Sequence, residues 1–267
     1  MTSNDFAIDI HGLTIKFGDL TAVDHLESQV PYGVIFGLLG ANGAGKSSTI
    51  KMLTTLLRPT SGSATVAGFD IVAAPHEVRR RIGYVPQMLS ADGSLTGYEN
   101  LLLSARLYAV PRVDRRPRIE QALNFMGLRD SADRLVKTYS GGMVRRLELA
   151  QSMLHKPTVL FLDEPTIGLD PVARHEVWKH LNDMNREFGM TILLTTHDME
   201  EADHLCADVA ILHAGKLAIH GTPAQLKAKV GELATLDDVF AQFSGAADDA
   251  GRLKDTADAR RVARRLG

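Results

Sequence analysis

The stretch Gly40-Ala41-Asn42-Gly43-Ala44-Gly45-Lys46-Ser47 constrains this chain more than any other. It fits G-x-x-x-x-G-K-[ST], the P-loop pattern, and lies between an apolar run at 34–39 and a helical stretch at 47–57. A nearly continuous apolar run of that length reads as a buried strand, so strand, phosphate loop and helix are predicted in that order. Glycines let the backbone curl until successive N–H groups face phosphate oxygens, and the helix N-terminus adds positive partial charge. Lys46 is expected to reach the β- and γ-phosphates and Ser47 to hold Mg²⁺, with Ser48 beside them in the nucleotide site. Alone, the motif says nucleotide, but not which one or to what end.

The second informative stretch is Val159-Leu160-Phe161-Leu162-Asp163-Glu164. Four apolar residues bury a strand and deliver two acids to its carboxyl end, where open α/β sheets bind ligands. Asp163 suits a Mg²⁺ shell, and Glu164 is placed to polarise an attacking water near the γ-phosphate. Strand ends also carry acids as helix caps, and Pro165-Thr166 does begin a turn. Pairing with the P-loop favours the catalytic reading.

Around these stretches, apolar runs at 159–162 and 191–195 flank a helical segment at 173–188, a βαβ spacing that implies a parallel sheet. Residues 7–30 alternate, with Leu13, Ile15 and Phe17 spaced by two and a turn at Gly18-Asp19, which predicts antiparallel strands. Segments 209–213 and 216–220 flank Ala214-Gly215 as a hairpin, and 90–155 is mostly helical, with Leu101, Leu102, Ala105 and Tyr108 at helical spacing. The expected fold is α/β: a P-loop NTPase (RecA-like) core with an antiparallel β edge subdomain and an inserted helical subdomain. Residues 1–222 would form the ATPase domain, with its helical subdomain at about 90–155, and 223–267 a partly helical, frayed extension. There, 236–240 reads as a packing or docking motif, 244–251 is small and acidic, and the arginine-rich 252–265 reads as a solvated helix.

Composition narrows the setting. With 267 residues and 45% of them hydrophobic, the chain can build a sizeable core, and a net charge of −2 gives no long-range pull toward nucleic acid. The single cysteine, Cys206, cannot form an internal disulfide, so a cytoplasmic setting is expected. Residues 1–9 lack an apolar signal core, and no run approaches the ~18 apolar residues of a spanning helix. A membrane pathway, if there is one, would belong to another polypeptide.

Tyr139-Ser140-Gly141-Gly142-Met143, just upstream of Asp163-Glu164, resembles the signature of the ATP-binding-cassette (ABC) ATPases, and the resemblance covers roughly 7–223. Ser140 and the Gly141 and Gly142 amides would open the helix beginning near Met143 as a second anion site, which in the family clamps the γ-phosphate held by the opposite subunit. The resemblance therefore implies a head-to-tail dimer with a second ABC ATPase subunit, most simply a homodimer. It also implies that Phe17 stacks on adenine, that Gln87 senses Mg²⁺ and water, that Asp170 communicates across the dimer and that His197 is the γ-phosphate switch. The implied ligands are ATP and Mg²⁺, held in part by Ser47, Gln87 and Asp163, with Asp163 acting through a water. The implied partner is a separately encoded integral membrane permease, which would leave this subunit peripheral on the cytoplasmic face of the membrane.

Met143 stands where the commonest signature has glutamine, removing a polar side chain. Ser-Gly-Gly-Met followed by Val144-Arg145-Arg146, together with the 236–240 tail, resembles the drug-resistance exporter branch, which points to export of a drug, lipid or glycan. Phe17 replaces the more usual tyrosine but keeps the π-face. The alternative is a soluble ABC ATPase acting on DNA, ribosomes or iron-sulfur assembly. The interval from Lys46 to Ser140 is short and lacks sustained heptads, against the DNA-repair members, and a lone cassette differs from the ribosomal ones. Iron-sulfur assembly stays open at this point.

Overall fold

The structure, a computed structural model, describes residues 6–244; the basic stretch at 252–265 and nearly all of the small acidic run before it lie outside them. The chain opens with β1 (Phe6–Phe17) and β2 (Leu20–Pro31), then β3 (Ile35–Gly40) runs into α1 (Lys46–Leu53). Next come β4 (Ser61–Val66), β5 (Phe69–Asp70), α2 (Pro75–Arg81) and β6 (Ile82–Val85). Three helices follow, α3 (Gly97–Leu107), α4 (Arg112–Phe125) and α5 (Gly141–Met153), before β7 (Val159–Asp163), α6 (Pro171–Phe188) and β8 (Thr191–Thr196). The described chain ends with α7 (Met199–Leu205), β9 (Asp208–His213), β10 (Lys216–Gly221), α8 (Pro223–Val230) and α9 (Leu236–Phe243).

Among the described residues the strands form two sheets, an antiparallel one in the order β2-β1-β4-β5 and a six-stranded one in the order β10-β9-β3-β8-β7-β6. In the larger sheet β9, β3, β8, β7 and β6 run parallel, and β10 joins β9 as an antiparallel edge. Side chains on a strand point alternately to its two faces. Leu160 and Leu162 accordingly pack with Trp178, Leu181 and the helical insert on one side. Val159 and Phe161 pack with α1 and the antiparallel sheet on the other. Burial on both faces is why these strands read as unbroken apolar runs.

α1 stops four residues before the expected end. The Thr54 hydroxyl turns back onto the Ile50 carbonyl at 2.8 Å, and Thr55 takes φ 64°, a left-handed backbone that ends the helix. At its other end α1 starts at Lys46 with Gly45 as N-cap and no acid in its first turn, which keeps that helix terminus receptive to an anion.

The 236–240 motif forms the start of α9, capped by Thr235 and Asp238. Leu236 and Val239 enter the main core beside α7, α8 and β9, while Asp237 and Asp238 face solvent. Truncating Leu236, which is 2% exposed, to alanine should cost about 2–5 kcal/mol of folding stability, the usual range for a buried leucine. A denaturant titration of the Leu236→Ala chain checks it, and an unshifted midpoint would mean that α9 does not contribute to the core.

Candidate functional site

Parallel pairing brings the carboxyl ends of β3, β8 and β7 level: Leu38 pairs with Thr195, and Thr195 with Asp163. The loop leaving β3 is braced from behind by the β9–β10 turn, where the Gly215 N–H donates to the Ala44 carbonyl and the Asp24 N–H to the Gly215 carbonyl. Glycine is demanded where β2 and β9 approach the loop. A Cβ on Gly45, whose φ is 104°, would sit 2.6 Å from the Ala22 carbonyl oxygen, and one on Gly40 would sit 2.8 Å from that of Leu212.

Lys46 is buried, and its ammonium donates to the Gly40 carbonyl at 2.7 Å and to that of Ala41 at 3.3 Å, 3.4 Å from Glu164 Oε1. A buried charge must be compensated, and here two carbonyls and a carboxylate do so. The Ser47 hydroxyl donates to Asp163 Oδ1 at 3.1 Å, and the Thr195 hydroxyl donates to the same oxygen at 2.6 Å. Thr195 also accepts from the Glu164 N–H at 3.0 Å. That bond helps hold Glu164 at φ 49°, a left-handed backbone that costs about 1–3 kcal/mol outside glycine and aims its carboxylate at Lys46. Glu164 Oε2 lies 3.4 Å from the Gln87 amide nitrogen and 3.3 Å from His197 Nδ1.

Phe17, Ala41, Asn42, Gly43, Ser48 and Gln87 line a cleft of about 310 Å³ together with Gly45, Lys46, Ser47 and Glu164. Gly40 and Ala44 stand behind it, Gly40 offering its carbonyl to Lys46. His197 lines a second cavity of about 150 Å³ that shares Glu164 as a wall. Ser140, Gly141, Gly142 and Asp170 do not line the cleft beside Lys46. They form a patch of their own: Ser140 caps α5 by accepting from the Met143 N–H, so the helix starts at Gly141, earlier than expected. Asp170 caps α6, and a Cβ on Gly142 would meet that of Ala173 at 2.8 Å. α5 too has no acid in its first turn. Met143 is half-buried against the main core.

Some participants are silent in the sequence. Thr195, the bridge between Asp163 and Glu164, looks there like a strand residue; its signal is a hydroxyl ending an apolar run just before His197. Arg145 and Glu148 form a fully buried ion pair on α5; the run Val144-Arg145-Arg146 stands out in the sequence only as part of the signature variant, and nothing in it announces the pairing.

A family model described as "ABC transporter" matches residues 23–167. The chain is 46% identical over 225 residues to the daunorubicin/doxorubicin resistance ATP-binding protein DrrA of Streptomyces peucetius, covering 84% of this chain and 68% of that one. It is 42% identical to the Nod factor export ATP-binding protein I of Ralstonia nicotianae, covering 82% and 68%. Among solved structures it resembles cbiO1 from Clostridium perfringens, part of the ABC transporter complex cbiONQ, with a TM-score of 0.77 and 27% identity over 94% of this chain and 99% of that one.

Behind His197, the buried Glu201 carboxylate accepts from the Thr166 hydroxyl at 2.7 Å and the Trp178 indole N–H at 3.0 Å. Burial raises its pKa, against the pull of these donors. A raised folded-state pKa means stability that is present below the unfolded value of about 4.3 and lost as pH rises through the folded one. Glu201→Gln keeps an oxygen for both donors and does not titrate. The stability of the natural protein relative to this variant should therefore fall as pH is raised from 4, in paired thermal melts; parallel curves would contradict it.

Proposed function

The chain belongs to the ABC transporter family and is an ATPase subunit that powers transport, and from that premise we propose how its residues bind and hydrolyse ATP, what it docks to and what it moves. The observation that carries the reading is the convergence of Lys46, Ser47, Asp163 and Glu164 on one cleft floored by the glycine loop. ATP lies with its adenine on the half-exposed ring of Phe17 and its phosphates on the loop N–H groups and the α1 terminus. The arriving phosphates compete with Glu164 and the Gly40 and Ala41 carbonyls for the Lys46 ammonium. Glu164 Oε1 thereby loses its cationic partner and is left to accept a proton from water, while His197 and the Gln87 amide hold Oε2 from the other side.

The metal requirement fits the donor set. One hydroxyl and one carboxylate, Ser47 and Asp163, meet beside the phosphate loop, and among the described residues no cluster of three or more His, Cys, Asp or Glu could hold a metal unaided. That suits Mg²⁺, which takes few protein oxygens and completes its shell with water and phosphate. When bound it neutralises charge on the transferring phosphoryl group.

Ser140 and Asp170 lie outside this cleft, so the signature end of α5 serves a nucleotide held by a second subunit, in a head-to-tail dimer that we take to be homomeric. No described helix is long and apolar enough to cross a membrane, so the translocation path belongs to a permease at whose membrane face this subunit sits. The permease docks where apolar side chains are left facing solvent: Met88 and Leu89 after Gln87, and Leu103 and Leu107 one turn apart on α3. Beside Leu107, a cleft of about 670 Å³ is walled by His76, Arg79 and Arg80 of α2, which suits an apolar segment bearing an acidic residue. Relatives named for drug resistance and Nod factor export favour an exporter of an amphipathic drug, lipid or glycan over a soluble role in iron-sulfur assembly.

Glu164→Gln should keep ATP affinity, lower turnover by about 10²–10⁴-fold, the usual worth of a positioned base, and accumulate as an ATP-bound dimer. Nucleotide titration, single-turnover hydrolysis and light scattering measure the three, and turnover at the natural rate would refute the assignment. Lys46→Ala should weaken ATP binding itself, and an unchanged affinity would remove Lys46 from the site. Leu107→Asp should abolish co-purification with the permease while leaving ATP binding intact; retained co-purification would move the docking face elsewhere.

A further inference from the structure

The strongest unexplained feature outside the phosphate cleft is the ion pair buried between α5 and the Gln87 loop. Arg145 and Glu148 are each 2% exposed and lie 3.0 Å apart, one turn apart on α5. The Arg145 guanidinium donates at 2.8 Å to the Pro86 carbonyl and at 2.9 Å to the Gln87 carbonyl. Glu148 accepts from the Ser90 N–H and, at 3.1 Å, from the Ser90 hydroxyl. One helix thus grips the loop at both ends, at 86–87 and at 90. The contact of the Gln87 side chain with Glu164, at 3.4 Å, is by comparison long, so the aim of that amide depends on where its main chain is held.

The same helix is capped by Ser140, five residues before Arg145. Pulling the loop off α5 would leave both buried charges without their hydrogen-bond partners at Pro86, Gln87 and Ser90, which is costlier than moving helix and loop together. We propose that Arg145 and Glu148 lock the Gln87 loop to α5, so that the signature end of the helix and the Gln87 amide move as one body, with Arg145 a positioning residue that sets turnover through Gln87. This rests on the role given to Gln87 above. Arginine is needed because its planar fork serves two carbonyls and a carboxylate at once, which a lysine ammonium on a flexible stem does not.

The test is a double-mutant cycle on the full-length chain with Gln87→Ala, Arg145→Lys and the two combined, measuring ATP affinity, KM and kcat. Arg145→Lys should lower kcat roughly tenfold with affinity unchanged, the pattern of a lost transition-state contribution. In the Gln87→Ala background it should cost no more than about twofold, because residues acting through one group are not additive. Full additivity, or an unchanged kcat in Arg145→Lys, would overturn the proposal while leaving the role of Gln87 standing. Natural turnover in Gln87→Ala would remove that role and the proposal with it. Should Arg145→Lys fail to fold, the Arg145→Met/Glu148→Met chain, which leaves no orphaned buried charge, takes its place in the cycle with the same outcomes.

Discussion

A buried ammonium at the end of a strand organises this molecule. Lys46 sits where β3 gives way to α1, and a cation removed from water needs compensation within its own reach. The Gly40 and Ala41 carbonyls supply part of it and Glu164 the rest. To bring that carboxylate in, β7 must end level with β3, which the parallel register through β8 ensures, and the chain at Glu164 must accept a left-handed backbone. Glycine at 45 lets the loop lie against Ala22 without a clash. The geometry that satisfies Lys46 is also one that phosphate oxygens would complete, so a folding constraint and the proposed binding site coincide in one arrangement.

The site is built in shells of different character. Close to Lys46 the contacts are supplied largely by main chain and strand ends. Farther out, Gln87 and His197 approach Glu164 at 3.4 and 3.3 Å from loops, and their positions depend on neighbouring helices. The Gln87 loop is held by the Arg145–Glu148 pair on α5, and the loop after Glu164 is tied through Thr166 to Glu201 and Trp178. Both tethers are buried polar contacts, which are costly to separate.

Much of the fold was legible in the sequence because burial on both faces leaves a plain signature. The runs at 34–39, 159–162 and 191–195 mark β3, β7 and β8 within a residue or two, and the P-loop pattern and the Asp163-Glu164 pair mark the strand ends at the candidate site. Helix ends were less legible. α1 closes at Leu53 because a threonine hydroxyl and one left-handed residue outweigh a helical pattern running to 57, and α5 opens at Gly141 because Ser140 caps it. The motif at 236–240 could be read as packing or docking, and the burial of Leu236 and Val239 decides for packing at those two positions.

By itself the sequence determined the local pattern: which residues fit the P-loop spacing, which strand delivers two acids, and which family the motifs belong to, since each is a short-range pattern of residue type and spacing. Tertiary structure alone decided what joins those pieces. Thr195 bridges Asp163 and Glu164, Arg145 holds the loop that begins at Gln87, and Ser140 lies apart from the cleft whose chemistry it resembles. The physical reason is that register, burial and the compensation of buried charge are properties of surfaces brought together by folding, and residues distant in sequence carry no local mark of the neighbour they will meet.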